Sequence, residues 1–365
     1  MTICDRRLPL GRALEGAVDH EDGFNRARLF AAEQKFLLGV RILGGAISPL
    51  ESGAAFAGLA DVMLAAMLDW VRREFELRHG IVEGASMAIV AMGNLGTGEL
   101  TAGSDLDLMV LYEFEPDNDE SNGDKPLHAL QYFSRLTQRL IAAMSAPTAE
   151  GVIYELDFRL RPSGNSGPLA TTLSSFVEYQ GESAWTWEKL ALTRARVVAG
   201  DEGFAEKAQK AIDGCLRVSR EDSDVSKDVR EMRAVMDEER PAQSPWDIKL
   251  AAGGLIDIEF IAQWAVLTGR VENAPTTRAV IGLLEQSNDI AAEAQLAQAY
   301  DFYTCIIQMS RICLDETFSP DTAPAGLLTR VLSQLNLPDA AHADAALGDH
   351  QKRVRAAFKA LLREK

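Results

Sequence analysis

Gly93-Asn94-Leu95-Gly96-Thr97-Gly98-Glu99-Leu100-Thr101-Ala102-Gly103-Ser104-Asp105-Leu106-Asp107 is the stretch that decides how this chain folds. A glycine-rich turn, a serine and two carboxylates one residue apart follow one another in it. Apolar runs flank it, Met87 to Met92 before and Leu106 to Leu111 after. Short apolar runs bounded by turn residues fit buried strands. The spacing therefore predicts a strand, a phosphate-sized turn and a second strand bearing two acids. Side chains alternate along a strand, which puts Asp105 and Asp107 on one face and Leu106 and Leu108 on the other. Two carboxylates that close repel unless a cation lies between them. Mg²⁺ suits such a pair, because it takes hard oxygen ligands and keeps positions for substrate phosphates.

Working outward, Glu113 to Lys125 is acidic and polar, with Pro116 and Gly123, and reads as an exposed loop. Leu127, Leu130, Phe133, Leu136, Leu140, Ile141 and Met144 mark an amphipathic helix closed by Pro147. Val152 to Leu160 reads as a third strand, ended by Arg161-Pro162-Ser163-Gly164. On a regular strand Glu155, Asp157, Arg159 and Arg161 share one face. Asp157 is then the third carboxylate that a two-metal phosphoryl-transfer site needs, and Arg159 and Arg161 are placed to reach phosphate. Gly93, Gly96 and Gly98 free backbone N–H groups to approach a phosphate. Gly96, Thr97 and the Ser104 hydroxyl are the expected nucleotide contacts on the turn. No Gly-Lys-Ser/Thr follows, so the turn is not a P-loop, nor is it a dinucleotide fingerprint. A lone Asp-x-Asp or a lone glycine turn carries little. The ordered set of strand, turn, Ser-Asp-x-Asp strand, helix and third-strand Asp points to a nucleotidyltransferase of the DNA-polymerase-β type.

Helices surround this centre. Residues 22–82 carry stripes such as Phe30, Phe36, Leu37, Val40, Leu43 and Leu59, Val62, Met63, Met67, Trp70. From about residue 223 helices return: one through Val229, Met232 and Met236, one from Ile256 to Leu267 after Gly253-Gly254, one from Ala292 to Asp315, and a last from His350 to Arg363. The expected class is α+β, with a helical segment at 1–85, a nucleotidyltransferase domain at 86–220 and a helical bundle at 221–365. Gly253-Gly254 reads either as a second anion site or as a tight loop packing one helix on another. Trp185 and Trp187 read as domain-packing residues, with partner contact as the alternative.

The formal net charge of −17 leaves no basic stripe for nucleic acid. No apolar run approaches the roughly 20 residues that cross a bilayer, so no membrane role is expected. Asp5, Arg6 and Arg7, with no apolar block after them, do not resemble a secretory signal. The scattered cysteines form no Cys-x-x-Cys pair, and a reduced cytoplasmic setting is expected.

The motifs resemble those of the bacterial glutamine-synthetase adenylyltransferases. Gly96-Thr97-Gly98-Glu99-Leu100 followed by Ser104-Asp105-Leu106-Asp107-Leu108 is similar to that family's core motif. Tyr154 to Gly164 resembles its Y-E-x-D-x-R-L-R-P-S-G block, and Ala184 to Glu188 with Ala191 to Arg196 its A-W-T-W-E…A-L-x-R-A-R block. Asp247-Ile248-Lys249 through Gly253-Gly254 to Phe260 resembles its D-I-K…G-G-I-x-D-I-E-F block. Members usually carry two catalytic halves, one adding AMP to glutamine synthetase and one removing it; this chain has one, and its A-W-T-W-E form resembles the adding half. The resemblance implies that ATP and a tyrosine hydroxyl of glutamine synthetase give adenylyl-O-tyrosine and pyrophosphate. It implies two Mg²⁺ ions on Asp105, Asp107 and Asp157, and a PII-type signal protein as a possible partner. The family usually has Lys where Asn94 stands. Phosphorolytic removal of AMP, or a non-catalytic regulatory module of the same fold, are the alternatives.

Overall fold

The computed structural model describes residues 10–217 and 222–363. The charged stretch at Asp5 to Arg7 and the expected boundary at 220 lie outside the described residues. Helix α1 (His20–Leu43) runs into α2 (Pro49–His79) through a tight turn. Ser48 starts α2 with a capping box: its hydroxyl accepts from the Glu51 N–H, and the Glu51 carboxylate accepts from the Ser48 N–H. By length and composition α2 alone among the described helices would cross a membrane, although Asp61 and Asp69 interrupt every long apolar run in it. Phe56, Leu59, Met63 and Met67 are each at most 1 % exposed, so α2 spends its apolar surface as a core helix.

Strand β1 (Ser86–Ala91) leads into a single helical turn, α3 (Gly93–Gly96), and then into β2 (Leu106–Glu113). Strands β1 and β2 pair antiparallel, with Ala91 opposite Leu108. Helix α4 (Ala129–Ser145) connects β2 to β3 (Leu156–Asp157), which lies parallel to the start of β2. Strand β4 (Ala170–Thr172) lies parallel to its far end. Helices α5 (Leu173–Glu182) and α6 (Thr186–Leu192) precede β5 (Arg196–Gly200), which is antiparallel to β1, and α7 (Glu202–Leu216) follows. The sheet is small and mixed, in the order β3-β2-β1-β5 with β4 beside β2.

Period two sorts its side chains. Met87, Ile89, Leu106, Leu108, Val110 and Tyr112 share one apolar core with α1, α2 and α4. Ala88, Val90, Met109 and Leu111 pack with Phe176, Phe204 and Ile212 of α5 and α7. The second face is also the face of Asp107. A third core belongs to the C-terminal helices α8 (Asp222–Glu239), α9 (Leu255–Leu267), α10 (Thr277–Ser287), α11 (Asp289–Ala294), α12 (Leu296–Cys313), α13 (Ala325–Gln334) and α14 (Ala340–Leu361).

Three elements differ from the sequence reading. The third strand is only Leu156–Asp157, because the Asp157 carboxylate accepts from the Arg159 N–H at 2.8 Å and turns the chain out of the sheet. The helix expected from Ala292 to Asp315 is broken at Gln295, which takes φ 52°. The last helix starts at Ala340, ten residues before the expected start at His350, because Asp339 caps it by accepting from the His342 N–H.

The glycine turn is bolted to the helical bundle. The Glu99 carboxylate accepts from the Thr277 and Arg278 N–H groups at 3.0 and 3.2 Å, at the first turn of α10, where a negative charge is favoured. Gln308 of α12 donates to the Leu100 carbonyl at 3.0 Å. Replacing Glu99→Ala leaves both N–H groups without their partner and is expected to cost about 1–2 kcal/mol of stability, read as a shifted midpoint in denaturant unfolding at unchanged slope.

Candidate active site

The register of β2 and β3 sets Asp107 directly across from Asp157. The Leu106 N–H donates to the Glu155 carbonyl and the Met92 N–H to the Asp107 carbonyl, each at 2.9 Å, so both neighbours of β2 hold it at this point. Gly93 takes φ +55°, and a Cβ there would stand 2.5 Å from Oδ2 of Asp107. The turn therefore begins with glycine for two reasons: the backbone conformation and the carboxylate against it.

A cavity of 480 Å³ opens over these acids, within the size range of small-molecule sites. Ser104, Asp105, Asp107, Asp157 and Arg159 form its sheet side, while Lys249, Glu259 and Arg311 come from the helical bundle. Asp105 precedes β2 and is exposed; Asp107 is half-buried. The Ser104 and Thr101 hydroxyl oxygens lie 2.7 Å apart, and Ser104 Oγ also accepts from the Thr101 N–H.

Burial pushes the Asp107 carboxyl above the ordinary range and the Asp157 charge pushes it further, against the pull of Arg194, Lys249 and Arg159. Asp157 moves the other way. The Arg159 side chain holds it below the ordinary range, opposed by burial and helped by the Arg159 backbone N–H. Arg159 Nε donates to Asp157 at 2.7 Å. The two acids share one face of one site, and Arg159 serves as counter-charge for Asp157.

Among the described residues no three His, Cys, Asp or Glu side chains are gathered into a ready metal cage. The donors nevertheless suit Mg²⁺ in kind, as all are carboxylate oxygens and Asp107 already bears a repulsion from Asp157 that a cation would relieve. To join such a site Asp157 would have to exchange its arginine for the ion.

Of the residues expected from the sequence, Asp105, Asp107, Asp157, Ser104 and Arg159 meet at the cavity. Gly96, Thr97 and Arg161 do not line it. A Cβ on Gly96 would lie 1.7 Å from the Arg194 carbonyl, so this glycine lets the chain before β5 cross the turn. Thr97 is 6 % exposed, and its hydroxyl faces the Gly93 and Asn94 carbonyls at 3.4 Å. Arg161 is buried and donates to the Phe158 and Gly167 carbonyls at 2.6 and 3.3 Å, bracing the loop after β3. The common strand face expected for Glu155, Asp157, Arg159 and Arg161 fails for the same reason that β3 is short. Gly253 and Gly254 form the tight loop: added Cβ atoms would fall 1.9 Å from the Gln351 carbonyl and 2.2 Å from that of Ile248, and the Gly253 N–H donates to buried Asp257. Trp185 and Trp187, expected in packing, are 71 % and 40 % exposed.

The sequence pattern gave no cavity role to Arg194, Lys249 or Glu259. Each sits in a motif block, but nothing in the spacing says that these blocks fold over the glycine turn.

The sequence profile of the glutamate-ammonia ligase adenylyltransferase family matches residues 5–211. A protein of Mesorhizobium japonicum named bifunctional glutamine synthetase adenylyltransferase/adenylyl-removing enzyme is 46% identical over 97% of this chain. The chain belongs to the glutamate-ammonia ligase adenylyltransferase family. Proteins with the same name in Brucella suis and Agrobacterium fabrum are 46% and 45% identical over 96% and 97% of the chain. The match covers 36% of the length of each of these relatives, so the chain spans about a third of them.

An acid whose pKa rises on folding costs stability as pH climbs above its ordinary range, and the Asp107 carboxyl is raised in this way. Asp107→Asn is therefore expected to raise the melting temperature at pH 7 in chelator by about 1–3 °C and to remove any stabilisation by added Mg²⁺. Thermal scans with and without Mg²⁺ check both; a fall of several degrees in chelator contradicts the assignment.

Proposed function

We propose that this chain transfers AMP from ATP to a tyrosine hydroxyl of glutamine synthetase, releasing pyrophosphate, on a polymerase-β-like nucleotidyltransferase domain. The observation that carries the reading is Asp107 facing Asp157 across β2 and β3, with Asp105 and Ser104 on the same cavity. The names of the relatives support the choice of acceptor protein.

In this reaction the tyrosine oxygen attacks the α-phosphorus, the bond from it to the bridging oxygen breaks, and pyrophosphate leaves. Asp105, Asp107 and Asp157 would hold Mg²⁺, which when bound neutralises the triphosphate and lowers the pKa of the attacking hydroxyl. Ser104 offers its hydroxyl to a phosphate oxygen, since Thr101 already fixes that oxygen's place. Arg159 reaches phosphoryl oxygens once Asp157 has turned from it. With Arg159 turned away, the Asp157 carboxylate receives the tyrosine proton. The bundle residues Lys249 and Glu259 line the same cavity as the acids. A PII-type signal protein is the proposed regulator.

The test is incubation of glutamine synthetase with the chain and α-labelled ATP. Labelling is expected with the wild type, and a loss of about 10³-fold with Asp105→Asn plus Asp107→Asn. Release of ADP from adenylylated glutamine synthetase and phosphate, without labelling from ATP, would replace this reading by the reverse reaction.

A further inference from the structure

Among the described residues, Arg194 is the cation that the fold fixes to both walls of the cavity. Its backbone carbonyl lies against Gly96, so close that a Cβ there would overlap it. Its Nη2 donates to the Oδ1 of Asn94 on the turn. Its Nη1 stands 3.3 Å from the Glu259 carboxylate of α9. The side chain is 12 % exposed, and its Nε is buried with no hydrogen-bond partner. Its charge also acts on Asp107.

A largely buried guanidinium with five N–H donors, whose contacts here are the Asn94 amide oxygen and a 3.3 Å approach to Glu259, has donors left to offer an anion. Planar guanidinium matches phosphate with two parallel N–H bonds. The other cations on this cavity are engaged or exposed. Arg159 is committed to Asp157, Arg311 donates to the Asp315 carbonyl, and Lys249 is an exposed point charge.

We infer that Arg194 binds the β- and γ-phosphates of the nucleotide, and so the departing pyrophosphate, with Asn94 as the residue that positions it. Glu259 serves as counter-ion until the anion arrives. A turn with no lysine or arginine of its own from Gly93 to Asp107 thus borrows its cation from the segment just before β5. This rests on the reading that the cavity takes a nucleoside triphosphate.

The test is equilibrium binding of fluorescent ATP and AMP derivatives, and of pyrophosphate as competitor, to the full chain. Arg194→Gln is expected to weaken ATP and pyrophosphate by about 10- to 100-fold and to leave AMP within about twofold. Asn94→Ala, which keeps the cation but frees it, is expected to weaken ATP by about 3- to 10-fold without change to AMP. Adding Asn94→Lys to Arg194→Gln restores a charge at the same place and is expected to recover most of the lost ATP affinity. If Arg194→Gln does not fold, Asn94→Ala carries the test by itself. Unchanged ATP binding by both single variants overturns the inference, as does equal loss of ATP and AMP. A wild type that binds neither ATP nor pyrophosphate overturns the functional reading as well, whereas a wild type that binds both leaves that reading standing whatever Arg194 does.

Discussion

Two carboxylates held side by side across a parallel strand pair govern this site. Neighbouring strands lie about 4.8 Å apart, so Asp107 and Asp157 cannot both be ionised there without a counter-charge. The fold accepts that repulsion and secures it from several sides. Strand β1 and the Glu155 carbonyl fix the start of β2, Gly93 leaves room for the Asp107 carboxylate, and Arg159 neutralises Asp157. A site that stores repulsion between acids is preorganised for a cation, and a cation-bearing polyphosphate brings its own.

The cavity exists only because two parts of the chain meet. The sheet supplies acids and the turn; the bundle supplies Lys249, Glu259 and Arg311. Glu99 on the first turn of α10, Gln308 on the Leu100 carbonyl and Arg194 between Asn94 and Glu259 hold the two together around the glycine turn. Behind that contact the bundle is braced by its own buried charges: Asp257, fully buried, accepts from Arg233, from Arg355 at 3.0 Å and from the Gly253 N–H at 2.7 Å. This cluster sets the loop that carries Lys249 and the start of the helix that carries Glu259.

Much of the centre was legible in the sequence, because its determinants are local. The apolar runs at Met87 and Leu106 became β1 and β2 within two residues, and the amphipathic stripe after Leu127 became α4. Asp105, Asp107 and Asp157 could be assigned together because the first two flank the start of one strand and the third follows a single helix. The misreadings share a cause. Arg161 was assigned to phosphate from strand periodicity, but an Asp157 turn ends that periodicity four residues earlier. Gly96 looked like a phosphate glycine, but its requirement comes from the Arg194 carbonyl, which is distant in sequence. Arg194, Lys249 and Glu259 act on the site only through tertiary contact, which no spacing encodes. The exposure of Trp185 and Trp187 is of the same kind: an aromatic pattern does not say which face remains uncovered.

The most direct measurement is a crystal structure of the chain soaked with Mn²⁺ and a non-hydrolysable ATP analogue, read by the anomalous signal of the metal. The account predicts manganese bound by Asp107 and Asp157, with Asp105 at the same cluster, and Arg159 released from Asp157. Metal bound elsewhere, or nucleotide bound in the cavity with the Asp157–Arg159 pair intact and no metal on Asp107, would contradict it.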